Sequence, residues 1–163
     1  MLESNLYLNS QETVLNGKLT INKDEFVSQE KIDEAMAVVS SLDLVQMNDK
    51  LINFYGWSKE DVTLMHDYYK KWLVLHVCYP ELATAPSMKL DEYWHMHILD
   101  TKKYMEDCQF IFGEYLHHYP YFGLENDSKN LDSGFELTKI LFMKHFDHNL
   151  TGLANPCKAT KCR

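Results

Sequence analysis

The sequence predicts a mostly α protein, a compact bundle of four to six helices behind an irregular N-terminal arm that could include one short hairpin. Three observations predict it. Apolar residues recur at three- and four-residue spacing through most of residues 28–150. Serines followed by acidic residues, or following a proline, stand where those periodic segments begin. Proline and glycine fall between the segments: Gly56, Pro80, Pro86 and Gly113.

Length and composition bound the rest. At 163 residues the chain fits one domain with a real core, and 45% hydrophobic content with 13% aromatics is well above that of a disordered chain. A formal net charge of -8 argues against nucleic acid as the partner, because phosphate binding needs clustered Lys and Arg. No run of about 18 apolar residues is present, so no membrane-spanning helix is expected. Met1-Leu2-Glu3-Ser4-Asn5 opens without a basic region and apolar stretch, so the expectation is a cytoplasmic protein.

The elements follow in order. Residues 1–27 form the arm, in which Asn16-Gly17 between apolar runs is a hairpin signal. Ser28 opens the first helix, with Ile32, Met36 and Val39 on one face; Ser40-Ser41 breaks it. Leu42, Val45, Leu51, Ile52 and Phe54 predict a second helix ending near Gly56, where glycine can take the left-handed closing conformation. Ser58 caps a third, stopped by Pro80. Ser87 caps a long central helix over 88–112 that closes at Gly113, followed by an aromatic loop. Residues 127–132 read as a polar connector. Ser133-Gly134-Phe135-Glu136 reads as a capping box for the last helix, to about His148. Residues 151–163 are a polar tail carrying Cys157 and Cys162, whose spacing is too loose for a zinc knuckle.

The chemistry concentrates in the central helix and the loop after it. At about 100° per residue, with Trp94 at zero, Ile98, Thr101, Met105, Cys108 and Phe112 form the core stripe. His97, Asp100, Tyr104 and Asp107 lie on one flank of it. His95 lies about 200° from His97, so a regular helix cannot bring both to one ion. His97 and Asp100, three apart, share a surface and supply imidazole plus carboxylate, a donor pair for zinc, iron or manganese or for acid–base work. Tyr104 adds a phenol one turn on.

A metal needs three or four protein ligands. His117 and His118, returned by the chain reversal after Gly113, are the expected supply. His66 or His76, or His145 and His148, could complete the shell. The expected site is therefore His97, Asp100, His117 and His118 as metal ligands, with Asp100 and Tyr104 as the reactive groups. His95, Trp94, Cys108 and His66 would support it.

The same stretch carries a resemblance. Trp94-His95-x-His97, then Asp100, Tyr104, Asp107-Cys108 and His117-His118-x-Pro120-Tyr121-Phe122-Gly123, resembles the glycine-rich domain-containing protein-like family. Tyr69-Lys70-Lys71-Trp72 and Pro80 resemble that family's preceding helix, so the likeness covers roughly residues 30–147. It implies that these histidine motifs are a signature, and it brings no activity with it. The chain departs from the plant members in lacking their glycine-rich tail, with only six glycines, so their nucleic-acid roles do not carry over.

Two readings of different class stand. One is a small helical protein binding zinc or iron, a metalloenzyme of hydrolytic or oxidative type acting on a small molecule or protein partner. The other is an interaction or regulatory module whose histidines only fill a polar core. A metal-free hydrolase with Cys108 as nucleophile is a third, weakened by the place of Cys108 on the core stripe, since a reactive thiolate needs access.

Overall fold

The computed structural model describes residues 21–122 and 128–150, in which six α-helices follow one 3-10 turn at Lys23–Glu25. The helices are α1 (Gln29–Ser40), α2 (Val45–Asn53), α3 (Lys59–Cys78), α4 (Met88–Leu99), α5 (Thr101–Phe112) and α6 (Ser128–Phe146). No strand occurs among the described residues. The Asn16-Gly17 hairpin signal and the Cys157/Cys162 tail lie outside them.

Local chemistry sets most helix ends. Ser28, Ser58 and Ser87 each accept a hydrogen bond from the backbone N–H three residues on, at Lys31, Asp61 and Leu90. Each cap therefore satisfies a donor that the first turn would leave open. Gly56 and Gly113 take positive φ, 69° and 73°, and turn the chain after α2 and α5.

The central helix is α3, which packs against α1, α2, α4 and α6. Trp72, Leu73, Val74 and Leu75 are buried in succession, so α3 is covered on every side at its C-terminal half. That position goes with the absence of charged residues from 72–78, whereas the N-terminal half of α3 carries Lys59, Glu60, Asp61, Asp67, Lys70 and Lys71. No described helix is long and apolar enough to cross a membrane.

Two expectations are corrected. The helix over 88–112 breaks at Asp100, where φ is -83° and ψ is 70°. The Asp100 carboxylate caps α5 by accepting from the Lys103 N–H (3.4 Å), and this local alternative competes with a continuous helix. The break resets the helical phase. Tyr104 and Cys108 turn inward, whereas Thr101 and Met105, expected on the core stripe, are exposed.

The last helix begins at Ser128, so residues 133–136 lie inside it rather than at its cap, and 128–132 is helical rather than a connector. Gly134 serves packing instead. Its carbonyl accepts from Ala85 N–H (3.2 Å), and Thr138 Oγ1 donates to the Ala85 carbonyl (2.8 Å), docking α6 on the loop before α4. A Cβ at Gly134 would stand 2.8 Å from the Ala83 carbonyl oxygen. Alanine improves helix propensity by about 1 kcal/mol, but overpacking against backbone costs about 1–3 kcal/mol. Gly134→Ala is therefore expected to lower stability by up to about 2 kcal/mol. An unchanged or higher urea midpoint would contradict this packing role.

Candidate metal centre

Asp91 sits in the first turn of α4 and is buried, where the helix N-terminus favours a carboxylate. His95 follows one turn later, which places both side chains on one face. His95 Nδ1 lies 3.5 Å from Asp91 Oδ2. The third member arrives from far along the chain: His118 Nε2–H donates to Asp91 Oδ1 at 2.9 Å. The His95 and His118 rings stand 4.5 Å apart. One ligand atom from each of Asp91, His95 and His118 falls within 4.8 Å of the other two, so this group could hold a metal ion. It is the only such group of three His, Cys, Asp or Glu residues among the described residues.

The loop that delivers His118 is held by Tyr104. Its hydroxyl donates to the Leu116 carbonyl (2.6 Å) and accepts from Trp94 Nε1–H (2.9 Å). The Trp94 ring also packs on His118, centroid to centroid 4.5 Å. Tyr104 is buried, and burial raises its phenol well above its ordinary pKa, so the hydroxyl stays protonated and donates.

His97 belongs to a separate buried chain. The carboxylate of Asp107 only accepts, so His97 Nε2–H donates to Asp107 Oδ2 (2.9 Å). Its Nδ1 is then bare and accepts from the Tyr69 hydroxyl (2.8 Å). Lys103 Nζ completes the Asp107 shell at 2.9 Å. Both imidazole nitrogens are thus engaged within the fold.

The structure brings His118, His95 and Asp91 together, and it does not bring His97, Asp100 or His117 to them. Asp100 is an exposed cap on α5, and His117 is exposed beside Tyr115. His66 accepts from Asn48 Nδ2–H (3.0 Å) in a separate network with Tyr93. Cys108 is buried and its thiol is pushed up by that burial, the opposite of an accessible thiolate. His145 pairs with the Tyr79 hydroxyl (2.6 Å). Asp91 is the residue that sequence reasoning passed over. Its Asp-x-x-x-His spacing to His95 was the available signal, eclipsed by the flank containing His97.

Burial lowers the pKa of His66, His76, His95, His97 and His145, with His76 brought down to about 4. The unfolded chain takes these protons near the ordinary histidine value, while the fold resists them. Stability is therefore complete above about pH 6.5 and is lost as the pH falls toward 4, by up to about 1.4 kcal/mol per pH unit for each proton taken up. Urea midpoints measured from pH 7 down to 4 should fall steadily. A flat profile would contradict it.

A family model described as UCP032817-like matches residues 37–148, well over half of the chain, and its description names no activity. The matched span takes in α2 to α6, the return loop and every residue of the Asp91–His95–His118 group. The likeness to glycine-rich domain-containing proteins rests on motif alone, since the matching model is a different one. Comparison with curated proteins and comparison with solved structures each gave no match. On the strength of the family match, this chain belongs to the UCP032817-like family.

Proposed function

We propose that Asp91, His95 and His118 bind one divalent transition-metal ion, zinc or iron, and that the protein is a small mononuclear metalloenzyme. The observation that carries this reading is the convergence of the three ligand atoms within 4.8 Å of one another. Two imidazoles and one carboxylate form a donor set suited to non-haem iron(II) and to catalytic zinc. Three protein ligands leave coordination positions for water or substrate, unlike a closed structural site. Asp91 and His118 also line a cavity, so such a position has somewhere to open. The bound ion would supply Lewis acidity or redox chemistry. The chain's own residues hold and orient it: Trp94 packs on His118, and Tyr104 fixes the loop that carries it.

The fit is also electrostatic. Burial keeps His95 neutral at pH 7, ready to ligate. A cation would replace the hydrogen bond between His118 Nε2 and Asp91 Oδ1, with the single imidazole proton carried on Nδ1 so that Nε2 is free to ligate. Calorimetric titration of the protein, purified without an affinity tag, with zinc or cobalt should give one ion per chain. Binding far below one equivalent would sink the reading.

The alternative, an interaction module with structural histidines, draws on His66, His97 and His145, each satisfied by neighbours inside the fold. It predicts that chelators leave the melting temperature of the purified protein unchanged.

A further inference from the structure

A cavity of about 210 Å³ adjoins the Asp91–His118 pair. Its walls include Trp72, Trp94, Leu82, Pro86, Leu116 and Phe122, a surface mostly apolar and aromatic. The Trp72 and Trp94 rings stand 4.6 Å apart and are both buried, so they form a preformed aromatic wall. A dry apolar cavity of about 150 Å³ is enough for benzene, so this one accommodates a single six-membered ring with a short polar group.

The polar groups on the walls narrow the ligand further. Among the described residues no Lys or Arg lines the cavity, whereas Glu81 and Asp91 do. An anionic ligand would therefore be repelled unless a cation at Asp91 compensates for it. His76 uses Nδ1–H to donate to the Trp72 carbonyl (3.0 Å), leaving Nε2 as an acceptor on a side chain that lines the same space.

We infer that this cavity binds a small single-ring aromatic molecule whose anionic oxygen, such as a carboxylate or hydroxamate, coordinates the ion held by Asp91, His95 and His118. The inference rests on the metal reading and names the substrate class of that site. Ring burial supplies the affinity, and the ion supplies the charge that the walls lack.

The test uses the full chain loaded with cobalt(II), whose visible bands report changes in coordination. Benzohydroxamate and acetohydroxamate share a chelating head and differ in the ring. Benzohydroxamate should bind at least tenfold more tightly. Filling the cavity with Leu82→Trp, or with Phe122→Trp if the first variant fails to fold, should abolish that preference and leave acetohydroxamate binding unchanged. Equal affinities for the two hydroxamates, a comparison that needs no variant, would overturn the cavity inference and leave the metal reading standing. A preference that survives in a folded, filled variant would also overturn it. Failure of the wild-type chain to take up cobalt would overturn the metal reading, and this inference with it.

Discussion

Replacing His118 by alanine is expected to weaken zinc or cobalt binding by more than about 100-fold, beyond the 10–100-fold usual for outer partners of a metal ligand. It removes one of only three protein ligands, and a two-ligand site holds a divalent ion poorly. Metal-free stability should fall by about 1–3 kcal/mol, because the buried Asp91 carboxylate loses its 2.9 Å partner and Trp94 loses the ring packed on it. His117→Ala is the matched control. His117 is the adjacent residue, is exposed, and does not converge with Asp91 and His95, so its loss should leave affinity unchanged. Calorimetric or competition titrations with both variants decide the matter. Equal affinities in His118→Ala and the parent would remove His118 from the site.

His97→Ala should do the reverse: a large loss of stability with metal stoichiometry kept. His97 is only 2% exposed and bridges Tyr69 on α3 to Asp107 on α5. Alanine leaves the fully buried Tyr69 hydroxyl without its acceptor, which costs about 1–3 kcal/mol. It also leaves a cavity where the ring stood, bringing the total to about 3–5 kcal/mol. The surviving contact between Lys103 and Asp107 limits the penalty on the carboxylate side. For a domain whose whole stability is about 5–15 kcal/mol, such a loss is large. Urea unfolding gives the stability, and a cobalt titration below the unfolding transition gives the stoichiometry. A stable His97→Ala variant that no longer binds metal would reverse the roles assigned to His95 and His97.

The two histidines of Trp94-His95-x-His97 show how far sequence reasoning reaches. Helical geometry separates them by about 200°, and they do enter different networks. Which network holds the convergent ligands was not decided by local spacing. His97 and Asp100 look like neighbours on a continuous helix, but Asp100 turns its carboxylate to cap α5 and ends α4. That one break carries Asp107 to His97 and Tyr104 to Trp94, pairs ten residues apart. A competition between a side-chain cap and the next helical hydrogen bond is narrow in energy, so periodicity alone does not resolve it.

The sequence by itself determined the helical class, the serine caps at residues 28, 58 and 87, the glycine turns at 56 and 113, and the concentration of histidine chemistry around residues 94–118. These are local matters of backbone hydrogen bonds and side-chain period, written in three- and four-residue spacings. Only the tertiary structure decided that Asp91 and His95 meet His118, a residue 27 positions beyond Asp91 in the chain. It also made α3, rather than the histidine helix, the centre of packing. The reason is that such convergence depends on where α5 and the return loop lie on α4. Long-range contacts of this kind, from the Tyr104 bond to the Leu116 carbonyl to the packing of Trp94 on His118, fix that placement.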